Sequence, residues 1–171
     1  MRYIDSTLLP NEKLIYFTRP HWIVFAPALS ALVVAIFFWH WGPMYIKMQS
    51  FIFQNLSFVD LLGLAALVLS LYWFLKAYIV YRFSEYAVTD RRVILKQGWI
   101  RRHALEMFLR KLEGIDVDQT VTGRVLGFGT LIIIGTGGTR DHYFNIPDPF
   151  AFRKVVQRQT DLLIDEEEVG G

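Results

Sequence analysis

The chain contains no cysteine. That absence excludes disulfide staples, thiolate metal sites and cysteine nucleophiles, so the fold rests on packing and on whatever solvates its apolar surface. Histidine is sparse too. His21, His40, His103 and His142 stand far apart and show no His-x-x-x-His or Glu-x-x-His spacing that would set two ligands on one helical face, so no metal site is expected. Ser84, His103 and Asp116 make a triad only on paper, because no nucleophile elbow accompanies them. The glycine-rich stretch Gly135 to Thr139 lacks the Gly-Lys-Ser/Thr of a phosphate loop and sits between two strand-like runs, so it reads as a hairpin turn. No catalytic residue and no cofactor is therefore expected.

Charge is nearly missing from two long stretches of the first half. Trp22 to Trp41, WIVFAPALSALVVAIFFWHW, carries no formal charge, and Leu61 to Tyr81 carries only Lys76. A bilayer core of about 30 Å needs about 20 apolar residues in a helix. The first run has that length, and the second reaches it with Phe58 and Val59, so helices over 22–41 and 58–81 are expected to form a transmembrane hairpin. Trp22, Trp39 and Trp41 fall where amphipathic rings favour the headgroup level, and Lys76 can reach that level on its long stem. The first run ends in bulky residues rather than a small-residue cleavage site, so it is expected to stay in the mature protein. Arg2, Lys13 and Arg19 precede the first span and Arg82, Arg91 and Arg92 follow the second, against Lys47 alone between them. That bias puts both termini in the cytoplasm. Ala31 with Ala35, and Ala66 with Ser70, would let the two helices approach closely. Residues 1–21 read as a juxtamembrane arm, and residues 42–60 as an interfacial loop.

What is present in quantity lies after residue 82. Residues 82–160 hold 13 Lys/Arg against 8 Asp/Glu, a surplus suited to an anionic membrane surface rather than to nucleic acid. The apolar period also changes to two. Glu85 to Thr89 and Val93 to Lys96 flank an Asp90-Arg91 turn and read as a hairpin. Arg101 to Leu109 is a further strand or a helix. Gly114 to Gln119 alternates, with Ile115 and Val117 inward, and Thr130 to Ile134 reads as a strand covered on both faces. His142 to Ile146 alternates again. A last helix starts at Asp148-Pro149 and sets Phe152, Val155, Val156, Leu162 and Leu163 on one face. Asp165 to Glu168 begin an acidic tail over 165–171.

Arg91, Arg92, Lys96, Arg101 and Arg102 fall within a dozen residues around Trp99. They read as a basic rim with an apolar tip, suited to lipid headgroups at about 1 kcal/mol per cation.

Three stretches carry a resemblance: Tyr86 to Arg102 (YAVTDRRVILKQGWIRR), Lys111 to Thr120 (KLEGIDVDQT) and Gly123 to Leu131 (GRVLGFGTL). With the Leu9-Pro-Asn-Glu-Lys13 opening and the Arg19-Pro-His-Trp22 approach to the first span, the chain resembles the bacterial pleckstrin-homology-like (PH-like) domain family. The resemblance is to the branch in which two transmembrane spans precede the domain. It implies an α+β membrane protein of the bacterial inner membrane, with residues 82–164 forming an antiparallel β-barrel or sandwich of about seven strands capped by a C-terminal helix. No catalytic signature comes with the family. The function expected is a non-enzymatic scaffold or adaptor that assembles with copies of itself or with other membrane proteins. The alternatives are a lipid-headgroup module and, third, an accessory subunit of a transport complex.

Overall fold

The computed structural model describes residues 4, 7–41, 58–98 and 103–170 and divides into two compact units, Val24–Ile79 and Met1–Ile23 with Val80–Gly171. A 3-10 turn at Trp22–Phe25 leads into helix α1 (Ala26–His40), and helix α2 runs over Phe58–Phe83; the smaller unit holds α1 and α2 up to Ile79. Pro27 sits in the first turn of α1, where its missing N–H would have had no helical partner in any case. Apart from Val59, the buried residues of the pair are small and seven apart: Ala28 and Ala35 on α1, Gly63, Ser70 and Ala77 on α2. Small side chains let the backbones close up, and Ser70 Oγ donates to the Ala28 carbonyl at 2.9 Å. Of the four small residues expected at this contact, Ala35 and Ser70 are buried while Ala31 and Ala66 are only half-buried. The stretches Trp22–His40 and Phe58–Phe83 are long and apolar enough to cross a membrane, and only 11% and 17% of their most apolar windows is buried in protein. Val33, Val68 and Leu71 on these helices are exposed.

The larger unit holds two antiparallel sheets. Strands β1 (Leu14–Thr18), β2 (Glu85–Thr89), β3 (Arg92–Gln97) and β4 (His103–Phe108) form the first in that order, and β5 (Leu112–Asp118), β6 (Phe128–Gly135) and β7 (Thr139–Pro147) form the second. A short helix α3 (Val121–Leu126) joins β5 to β6, and helix α4 (Pro149–Gly170) closes the chain. The core gathers the inward positions of both sheets, among them Tyr86, Val88, Leu95, Ile133 and Tyr143, under Phe152 and Val156 of α4. Asp148 caps α4 by accepting from the Ala151 N–H at 3.1 Å. Leu162, expected on the buried face, is exposed, while Leu163 packs on the core.

The described part of the first 21 residues does not stand apart as an arm. Leu14–Thr18 pairs with β2, and Ile4 packs on Ala87 and Ile94, covering the outer face of the first sheet. Every residue of β2 is buried for that reason. The Thr130 to Ile134 run goes the other way: β6 is buried at alternate positions only, because no element described here covers its second face.

The larger unit has two distinct ends. At the junction end the chain passes to and from the apolar helices: the His21 N–H donates to the Asn145 carbonyl (2.6 Å), the Asp148 N–H to that of Gly127 (2.9 Å), and the Gly98 N–H to Ser84 Oγ (3.2 Å). At the far end the Asp90 N–H donates to the Lys13 carbonyl (3.1 Å), the Leu109 N–H to that of Arg91 (3.0 Å), and the Thr136 N–H to that of Lys111 (3.1 Å). A six-residue strand such as β3 separates the two ends by about 17 Å.

Candidate functional site

The far end is built on a buried ion pair. The turn Leu9-Pro10-Asn11, with Asn11 in the left-handed region (φ 69), brings Glu12 under the β2–β3 turn. Arg92 is 6% exposed and grips Glu12 with two bonds, Nε to Oε1 and Nη2 to Oε2, both 2.9 Å. Its Nη1 reaches Glu106 (2.7 Å) and its Nη2 the Thr7 carbonyl (2.7 Å). Glu12 also accepts from the Leu9 N–H (2.8 Å) and from Thr89 Oγ1 (2.7 Å). Burial alone would push the Glu12 carboxyl up, but the Arg92, Leu9 and Thr89 hydrogen bonds and the Arg92 charge outweigh it and hold the group below its usual value. Both partners are consumed by each other, so this is a structural knot and not a reactive site.

Beside the knot lies a groove of about 530 Å3 lined by Arg91, Phe108, Arg110, Lys111 and Leu163. The 3-10 turn Leu109–Lys111 creates it. That turn drives Leu109 into the core and leaves Arg110 and Lys111 on the surface, with Phe108 exposed next to them. Arg110, Leu163 and Ile164 continue into a neighbouring hollow of about 280 Å3. Three cations around exposed apolar side chains suit a partner segment that is itself acidic and apolar.

The basic rim expected around Trp99 is not a single surface. Arg92 is withdrawn from it, because its guanidinium is buried and held by two carboxylates. Arg91 is exposed but lies in the far-end groove. Lys96 sits at the other end of β3, opposite Glu85, at the junction end. Trp99, Arg101 and Arg102 lie outside the described residues. Among the membrane anchors, Trp22 opens the first apolar helix and Trp39 and Trp41 close it, all three exposed, while Lys76 is exposed with Nζ 4.9 Å from the Trp73 ring centroid.

Glu12 and His21 stand in sequence motifs that give no sign of the contacts they make here. His21 stacks on Phe128 at 5.5 Å between ring centroids, and its Nδ1 accepts from the Ile23 N–H at 3.2 Å. Burial lowers its pKa, which fits that acceptor role. For Glu12 the sign comes only with the fold: an acidic residue behind a Pro-Asn turn needs a cationic partner once the arm joins a sheet. Among the described residues no group of three His, Cys, Asp or Glu side chains is placed to hold a metal ion.

Residues 14–160, from β1 through the first half of α4, match the family described as "Bacterial PH domain". No curated protein and no solved structure matches the chain.

Proposed function

The chain belongs to the bacterial PH domain family, and from that premise we propose that it is a membrane-anchored, non-enzymatic scaffold that assembles with copies of itself. In this reading α1 and α2 cross the inner membrane as a hairpin, with both termini on the cytoplasmic side, and the sheet domain works there. The observation that carries it is the far-end groove, where Arg91, Phe108, Arg110 and Lys111 meet Leu163. The occupant that fits is the end of α4 from a second copy, which carries exposed Leu162 and Ile164 followed by Asp165, Glu166, Glu167 and Glu168. Leu163 of the same helix lines the groove, so groove and helix end adjoin and a two-fold axis beside them would make the contact reciprocal. Tethering to one membrane raises the effective concentration for such pairing.

A photo-crosslinking amino acid in place of Phe108, activated in native membranes, tests it. A band of twice the chain mass that fades on Arg110→Glu with Lys111→Glu supports the scaffold, and a monomer band alone contradicts it. Lys96 favours a second reading, a lipid-headgroup module. It stands at the junction end, near the point where the chain emerges from α2. Arg101→Glu with Arg102→Glu is expected to weaken lipid contact in that case, and unchanged liposome binding removes it.

A further inference from the structure

We propose that α3 is a lipid-contacting ridge that rests the junction end in the headgroup layer, a role separate from the basic groove and from the 99–102 segment. Val121 and Val125 are 81% and 79% exposed, and Leu126 is exposed beside them. Positions 121 and 125 are four apart and share one helical face. Single exposed apolar residues are ordinary, but a six-residue helix with three of them is a patch.

The ridge is held rigidly. Thr120 Oγ1 accepts from the Gly123 N–H at 3.1 Å, and Gly127 closes the helix in the left-handed region at φ 78. Gln119 Nε2 donates to the carbonyls of Gly123 (3.1 Å) and Phe128 (3.0 Å), stapling the helix to β6. A side chain at Gly123 would place its Cβ 2.5 Å from the Phe128 carbonyl oxygen, so glycine is what allows this close seat.

The occupant follows from where the ridge stands. Phe128, two residues beyond α3, stacks on His21, and the next residue, Trp22, is exposed and opens the first apolar helix. Phe150, exposed in the first turn of α4, follows Asp148, whose N–H is bonded to the Gly127 carbonyl. An apolar ridge beside the start of a membrane span, with Arg124 exposed on the same helix, has the composition of an interfacial contact: apolar side chains for the acyl boundary and a cation for the phosphates. Val125, Trp22 and Phe150 would then lie in one layer. The inference rests on the reading that α1 and α2 cross a bilayer.

The chain's lack of cysteine makes the test direct. Single substitutions Leu67→Cys in α2, Val125→Cys in α3 and Thr136→Cys in the far-end β6–β7 turn are labelled with an environment-sensitive fluorophore. The full-length protein is then placed in nanodiscs of zwitterionic and anionic phospholipid carrying spin-labelled lipids. The expected result is strong quenching of the Leu67 site by mid-chain spin labels, and quenching of the Val125 site by headgroup-level labels several-fold above that at Thr136. Adding Val121→Asp is expected to reduce the Val125 signal while circular dichroism stays unchanged. Equal quenching at Val125 and Thr136, with Leu67 still quenched, overturns the ridge and leaves the spans standing. An unquenched Leu67 site overturns the spans and the ridge together.

Discussion

The two ends of the sheet domain each reverse the usual placement of side chains, one by burying charge and the other by exposing apolar groups. At the far end, charge is pulled inward: Arg92 and Glu12 are buried against each other, while their neighbours Arg91, Arg110 and Lys111 line an open groove. At the junction end, apolar side chains are pushed outward, with Val121, Val125 and Phe150 on the surface and a glycine seat beneath them. Under the proposed function, the junction end would meet lipid and the far end a second copy of the chain.

The largest expected effect breaks the far end. Arg92→Ala leaves Glu12 buried without its partner and is expected to cost about 3–5 kcal/mol, whereas Arg91→Ala, one residue away, is expected to stay within about 0.5 kcal/mol. Denaturant unfolding of the detergent-solubilised chain, followed by tryptophan fluorescence, separates the two, and equal costs would remove the knot from the account. Next comes the junction end. Gly123→Ala forces its Cβ against the Phe128 carbonyl and is expected to cost about 1–3 kcal/mol, with the loss measured in the same assay.

A pH titration sharpens the comparison, because the two ends respond in different windows. Burial depresses His21, so the unfolded chain takes up the proton first, and its contribution is present above the unfolded value of about 6.5 and fades as pH falls below it. Glu12 is depressed as a carboxylate, so its contribution is present above about pH 4.3 and is lost only as pH falls further, through its folded pKa. His21→Phe is expected to flatten stability between pH 7 and 5, and Glu12→Gln below pH 4.3. The reverse assignment would contradict both environments. The smallest effect belongs to neither end. Tyr86 and Tyr143 pack in the core with ring centroids 6.2 Å apart, and neither buried hydroxyl has a hydrogen-bond partner among the described residues. Burial raises both phenols far above their ordinary pKa. Tyr86→Phe removes an unsatisfied hydroxyl and is expected to leave stability unchanged or slightly higher.

Much of this was legible in the residues themselves. The β2–β3 hairpin announced itself by alternation around Asp90-Arg91, and α4 by the Asp148-Pro149 start and its apolar face. Strand β1 was hidden because LIYFT is short and pairs with a strand some 70 residues later, a contact that no local pattern encodes. The sequence VTGRVL has little helical propensity, so α3 is visible only once Thr120, Gln119 and Gly127 close around it. Arg91 and Arg92 are indistinguishable as letters. Their fates diverge because one closes the turn and the other opens a strand beneath Glu12. That register also splits the basic cluster, which a count along the chain treated as one surface.

The opposition of the two ends is tested most directly by chemical access in inverted inner-membrane vesicles. Chains carrying Thr136→Cys or Val125→Cys are exposed to a membrane-impermeant maleimide before and after detergent. Rapid modification is expected at Thr136 in intact vesicles, with protection at Val125 until detergent is added. Equal modification rates at the two sites in intact vesicles would contradict that opposition.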